Sequence, residues 1–168
     1  MEFTWFRRQA SRRAVENAPA SAYLWAMTDR AIENLLADFD VLDEWEERYR
    51  YVIELGRALP AFDEKWRNSN YKVRGCASQV WIHPAAETTP AGTVLNFTGD
   101  SDALIVKGLI AIAFMIFSGK TAEQILAQDA GAIFAKLGLK DHLTPQRSNG
   151  LASMVERIRS DARRSLPA

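Results

Sequence analysis

The sequence predicts an α+β domain in which a small antiparallel sheet of two to three strands packs against helices. Three observations carry this: two helix-period stretches early in the chain, two strand-period stretches after them, and a run of helix-period segments from Ala103 onward. Helices, then a small sheet, then helices again is the order of a segregated α+β chain and not of alternating βαβ units.

The first helix is predicted from Asp29, where Ile32, Leu35, Leu36 and Phe39 recur at helical spacing. Asp43 followed by Glu46 has the spacing of a capping box, and Trp45, Tyr49, Val52 and Ile53 continue one stripe until Leu59 and Pro60. These two helices are expected to pack as a hairpin, with Glu46, Glu47, Arg48 and Arg50 on a solvated face. Turn-forming residues from Arg67 to Asn70 introduce a strand over Val73 to Ile82, where Val80 and Ile82 alternate with Gln79 and Trp81 and Pro84 ends the run. A loop containing Pro90 and Gly92 leads to a second strand, Thr93 to Phe97, and a third short strand is expected just before Cys76.

Ser101 and Asp102 are placed to cap the apolar helix that follows, which Gly119 ends. Thr121 with Gln124 is a second capping box, and Gly138 closes the helical stretch holding Ile133, Phe134 and Leu137. Thr144 with Pro145 opens the last helix, whose buried face is Leu151, Met154, Val155 and Ile158.

At 168 residues the chain is one domain, able to bury a core without covalent staples. Residues 27–168 carry the patterned domain. Residues 1–26 hold Arg7, Arg8, Arg12 and Arg13 without the apolar run of a secretory signal, and are read as an extension. Because Met27 opens the patterned part, sequence upstream of a misassigned start is preferred over a disordered arm or an organellar presequence. Balanced charge, 21 basic against 21 acidic residues, removes any case from bulk electrostatics for a nucleic-acid or anionic-membrane partner. The apolar run from Ala103 to Phe117 falls short of the roughly 20 residues of a membrane span and is read as a core helix.

One cysteine allows no internal disulfide and fits a reducing cytoplasm. With Cys76, His83 and His142 as the whole set of soft ligands, the chain offers neither an iron-sulfur cluster site nor a structural zinc site of its own. Cys76 stands between Gly75 and Ala77, so small neighbours leave its sulfur accessible, with Lys72 and Arg74 the nearest cations in sequence. Arg74 and Cys76 would share a face if the segment is extended through Gly75. Free cysteine is equally a common buried small hydrophobe, and on composition alone that reading comes first. His83 and His142 lack a neighbouring carboxylate and thiol arrangement and are read as structural; Asp100 and Asp102 are read as helix caps before metal or acid-base groups. Arg147 opposes the dipole of its own helix, which asks for some other partner to hold it.

Three ordered segments then carry a resemblance: Tyr71-Lys-Val-Arg-Gly-Cys-Ala-Ser-Gln-Val-Trp-Ile82, Gly99-Asp-Ser-Asp-Ala-Leu-Ile-Val-Lys-Gly-Leu-Ile110 and His142-Leu-Thr-Pro-Gln-Arg-Ser-Asn-Gly-Leu151. From about Phe39 to Ile158 the chain resembles the SufE sulfur-acceptor family, including its CsdE branch. The resemblance implies a SufE/IscU-like fold with the cysteine on a loop at the sheet edge. It implies that Cys76 accepts persulfide sulfur from a SufS-like or CsdA-like cysteine desulfurase, stimulates that enzyme, and passes sulfur to a SufBCD-like scaffold for iron-sulfur cluster assembly. The pyridoxal phosphate of that chemistry belongs to the desulfurase, so no cofactor is expected here, and a homodimer is compatible with it. Carried over by position, Arg74, Asp102, Lys107 and Arg147 are candidates for shaping the cavity around Cys76 or meeting the partner. Ala77 and a longer loop from Pro84 to Gly92 depart from the family pattern. A CsdE-type acceptor in another sulfur-transfer pathway, a stand-alone cysteine-nucleophile enzyme and an interaction protein with an inert cysteine are the competing readings.

Overall fold

The structure is a computed structural model, describing the backbone from Ala20 and the side chains from Arg30 to Ala168. Its centre is α3 (Leu104–Phe117), whose Leu109, Ile110, Ile112, Ile116 and Phe117 are fully buried, as a helix apolar on all sides must be. Among the described residues no helix is long and apolar enough to cross a membrane.

α2 (Trp45–Arg57) crosses α3 at a pair of glycines. A Cβ at Gly108 would stand 2.1 Å from the Val52 carbonyl oxygen, and one at Gly56 would stand 2.5 Å from the Gly108 nitrogen, so the backbones touch there. α1 (Ala20–Val41) also packs on α3 and does not lie lengthwise along α2, so the expected hairpin is replaced by two helices sharing one apolar partner. Their corner is tied by the edge of Phe39 against Tyr51, 5.9 Å between centroids, and by Arg48, which donates to the carbonyls of Phe39 and Leu42 at 2.9 and 2.7 Å. Arg48 therefore leaves the solvated face assigned to it, while Glu46, Glu47 and Arg50 remain exposed. The Asp43–Glu46 capping box does not form: Glu44 is the cap, and its side chain makes no cap hydrogen bond. The expected boundary at 26/27 falls inside α1, and residues 1–19 lie outside the described residues.

β1 (Val80–Thr89) and β2 (Gly92–Ser101) pair antiparallel over their full length, from Val80 opposite Ser101 to Thr89 opposite Gly92. The predicted loop from Pro84 to Gly92 is thus mostly hairpin, and Pro84 does not end the strand. Ile82 donates its N–H outward to the Tyr71 carbonyl at 2.9 Å; Pro84, two residues on, turns its nitrogen to the same outer edge, where a missing N–H removes no ladder bond. The third strand is β3 (Lys120–Thr121), paired with Val94 and Leu95 of β2, giving the order β1-β2-β3. The residues before Cys76 form only an isolated bridge, Lys72 with Trp81.

The local signals in the C-terminal third are met. Thr121 and Gln124 close a reciprocal capping box on α4 (Ala122–Ala127). Gly138, at φ 67°, separates α5 (Ala130–Lys136) from α6 (Leu139–His142). The Thr144 hydroxyl accepts the Arg147 N–H at the start of α7 (Pro145–Ser165), whose Leu151, Met154, Val155 and Ile158 are buried.

Candidate functional site: the Cys76 loop and its cavity

Gly75 has φ 90°, a left-handed conformation that L side chains rarely adopt, and it turns the chain between the Lys72 bridge and β1. The extended geometry that would set Arg74 beside Cys76 is broken at this point. Arg74 is exposed and does not line the cavity next to the thiol.

Cys76 is half-buried, with Sγ 3.5 Å from the carbonyl oxygen of Gly150 in α7, a weak thiol hydrogen bond. The loop packs on α7 at Gly150, where a Cβ would stand 3.5 Å from the same sulfur, an ordinary contact distance. Beside the thiol opens a cavity of about 250 Å³. Val106 and Leu109 of α3 and Met154 of α7 supply its apolar lining, and Ser78, Thr144, Gln146 and Arg147 its polar lining. Burial pushes the Cys76 thiol above its ordinary value.

The loop is closed on its far side by Asp102. Its carboxylate accepts the Gln79 N–H at 3.0 Å, and its own N–H donates to the Gln79 carbonyl at 3.4 Å. Asp102 therefore does not cap α3: Ala103 is the cap residue, with no side-chain cap hydrogen bond, and the Ser101 hydroxyl accepts the Ala103 N–H at 3.2 Å. Asp100 is not a cap either. Burial pushes its carboxyl up, but hydrogen bonds from Arg67 and Lys107 outweigh this and hold it below the usual carboxylate range. Lys107 is spent in that ion pair at 3.1 Å and does not line the cavity.

Arg147 does line it. Its guanidinium donates to the Tyr49 hydroxyl at 3.3 Å, and that hydroxyl donates to the His142 carbonyl at 3.2 Å, which supplies the partner its position against the helix dipole required. Both histidines are packing groups: His142 stacks on Trp45 and His83 on Trp66, each at 3.9 Å. Among the described residues no three His, Cys, Asp or Glu side chains converge as metal ligands. Sequence reasoning missed Tyr49, whose phenol tip is hidden behind its place on an apolar stripe, and Gly150 and Met154, which become site residues only when α7 is laid on the loop.

Fold and site together define a single-cysteine α+β protein whose thiol lies on a loop entering an edge strand, over a small cavity. Residues 33–162 match the family described as "SufE: Fe-S metabolism associated domain". The chain is 53% identical over 138 residues to an uncharacterized SufE-like protein of Rhizobium meliloti (strain 1021), covering 82% of this chain and 99% of that one. To an uncharacterized SufE-like protein of Rhizobium etli it is 52% identical over 133 residues, covering 79% and 90%. A solution structure of a hypothetical protein from Thermus thermophilus superposes with a TM-score of 0.64 at 20% identity, over 84% of this chain and 96% of that one, and bears on the fold alone. The chain belongs to the SufE family, and membership places it in iron-sulfur metabolism.

Proposed function

We propose that Cys76 is a sulfur-accepting thiol, loaded by a cysteine desulfurase and unloaded onto a Suf-type scaffold complex in the cytoplasm. The observation that carries this reading is the half-sheltered sulfur on the Gly75-turned loop, facing a cavity with room for more than its own thiol. The Cys76 thiolate attacks the outer sulfur of the desulfurase persulfide. A new S–S bond forms to Cys76, the old one breaks, and the desulfurase cysteine leaves as thiolate, with no net oxidation.

Shelter and reactivity pull in opposite directions. In the closed position burial favours the neutral thiol, which is a poor nucleophile; swung outward, the sulfur regains ordinary acidity where the donor can reach it. The apolar lining from Val106, Leu109 and Met154 then suits the returning persulfide, keeping solvent reductants and oxidants from it. Arg147 supports the same reading as the cation lining that cavity, beside a group that carries negative charge when loaded.

The test is intact mass spectrometry after incubation with desulfurase and free cysteine. A gain of one sulfur atom mapped to Cys76, absent without the desulfurase and absent in Cys76→Ser, is expected. A Cys76→Ser variant that stimulates the desulfurase as well as the parent would overturn the reading in favour of an interaction protein.

A further inference from the structure

One face of α7 carries Gly150, Ser153, Arg157 and Asp161, spaced three or four residues apart, and the chain from Asn70 to Cys76 lies along it. Cys76 rests on Gly150 at 3.5 Å. Gly75 rests on Ser153 so closely that a Cβ there would meet the Ser153 hydroxyl at 2.5 Å. Further down, the Arg157 guanidinium donates to the carbonyls of Asn70 and Lys72 at 2.8 and 3.4 Å. Arg157 is in turn seated on Asp161, its Nε 3.1 and 3.2 Å from the two carboxylate oxygens. Asp161 is 5% exposed and is also paired with Arg164.

The grip is uneven along this face. Charge-assisted hydrogen bonds hold the 70–72 end, and Val73 adds its N–H to the Val80 carbonyl at 2.8 Å. From Arg74 to Ser78, among the described residues, the chain makes a turn at 74–75 but no backbone hydrogen bond to another element, and the thiol contact with Gly150 is all that ties Cys76 to α7 by hydrogen bonding. Where the sulfur comes to rest is therefore set by where the chain enters Gly75: the bonds of Tyr71 and Val73 to β1 fix that entry relative to the sheet, and Arg157 fixes it relative to α7.

We infer that Arg157, seated on Asp161, is a positioning residue for Cys76: it anchors the root of the loop to α7 so that the sulfur settles on Gly150 beside the cavity. Its place in function rests on the reading of Cys76 as the sulfur acceptor, but its effect on the thiol does not. Releasing the root lets residues 73–76 lift from α7 and exposes the sulfur more of the time, without touching the cavity lining or the thiol itself.

The experiment measures the alkylation rate of Cys76 by iodoacetamide in the full chain, alongside the thermal midpoint, for the parent, Arg157→Ala, Arg157→Lys and Arg163→Ala. Arg163 pairs with Glu156, both exposed, and serves as the control. Arg157→Ala is expected to alkylate about tenfold faster, the equilibrium factor of one lost charge-assisted hydrogen bond. Arg157→Lys, which keeps the ion pair but cannot fork across two carbonyls, is expected between the two, and Arg163→Ala at the parent rate. Asp161→Asn, which keeps the arginine but weakens its seat, gives the same acceleration and stands in should Arg157→Ala fail to fold. Alkylation at the parent rate in folded Arg157→Ala or Asp161→Asn overturns the inference. Iodoacetamide reports exposure and ionisation of the thiol together and needs no desulfurase, so an unloaded Cys76 in the desulfurase assay would remove the acceptor reading and leave this result standing, while normal loading with unchanged alkylation would remove only the role of Arg157.

Discussion

Gly75 lies against Ser153 with no space for a side chain between them: a Cβ on Gly75 would come within 2.5 Å of the Ser153 hydroxyl, which donates to the Asn149 carbonyl at 2.9 Å. The same glycine has φ 90°, so two independent constraints meet at the residue before the thiol. Gly75→Ala is expected to cost about 1–2 kcal/mol in urea denaturation, combining left-handed strain with the contact. Adding Ser153→Ala removes the contact and not the strain, so it recovers only part of the loss. Full recovery in the double variant would show that the backbone conformation carries no cost of its own.

Asp100 joins three parts of the molecule, with Arg67 from the loop before β1 and Lys107 from α3 both on its carboxylate at the end of β2. All three side chains are substantially covered, so neutralising the carboxylate leaves Lys107 facing an amide and Arg67 with Glu64 as its remaining carboxylate. Asp100→Asn is expected to lose about 2–3 kcal/mol. Its folded pKa is depressed, so the stabilisation is present above the unfolded carboxylate pKa of about 3.9 and lost as pH falls through the folded value. Chemical denaturation from pH 7 down to pH 3 should show the gap between parent and variant begin to narrow below about pH 3.9. A gap of constant size would mean that the carboxylate charge is not what the network uses.

Much of this fold is legible in the sequence because its signals are local. The Thr121–Gln124 box, the Thr144–Pro145 start and the Gly138 stop need no knowledge of distant residues, and an apolar run like Ala103 to Phe117 can only be a core helix. What stays hidden depends on partners far along the chain. Whether Pro84 breaks a strand is decided by which edge its nitrogen faces, and that follows from the pairing of Ile82 with Tyr71. Lys120–Thr121 is too short to show alternation and is a strand only because Val94 and Leu95 lie beside it. Asp102 could bond the α3 amides or the Gln79 amide, and chain closure around Cys76 selects the second. Cys76 itself is singled out by the segment that carries the resemblance; its shelter becomes visible only with Gly150 and Met154 in place.

Burial raises the folded pKa of Cys76 above its unfolded value, and the sign of the consequence is set. Below the unfolded thiol pKa of about 8.5 both states keep the proton and the contribution is fully present; above it the unfolded chain ionises first and the contribution is lost as pH rises through the folded pKa. Denaturation of the parent and of Cys76→Ser between pH 7 and pH 10 should show the parent losing stability relative to the variant above about pH 8.5. Other groups titrate alike in both proteins and cancel in the difference. Parallel profiles across the range would mean that the thiol is as hydrated in the fold as in the unfolded chain.

Arg147 is held over the cavity by Tyr49, and its charge should be felt by any anion that approaches Cys76. Iodoacetate and iodoacetamide attack the same sulfur and differ chiefly in charge, so the ratio of their rates reads the local potential with access held equal. A unit charge pair at contact in water is worth about 1 kcal/mol, so Arg147→Ala is expected to lower the iodoacetate-to-iodoacetamide ratio about fivefold, less at high salt. Tyr49→Phe keeps the guanidinium and removes its anchor, and should lower the ratio by a smaller factor. If the ratio does not move in Arg147→Ala, the guanidinium does not reach the sulfur electrostatically, and its place in the lining serves packing alone.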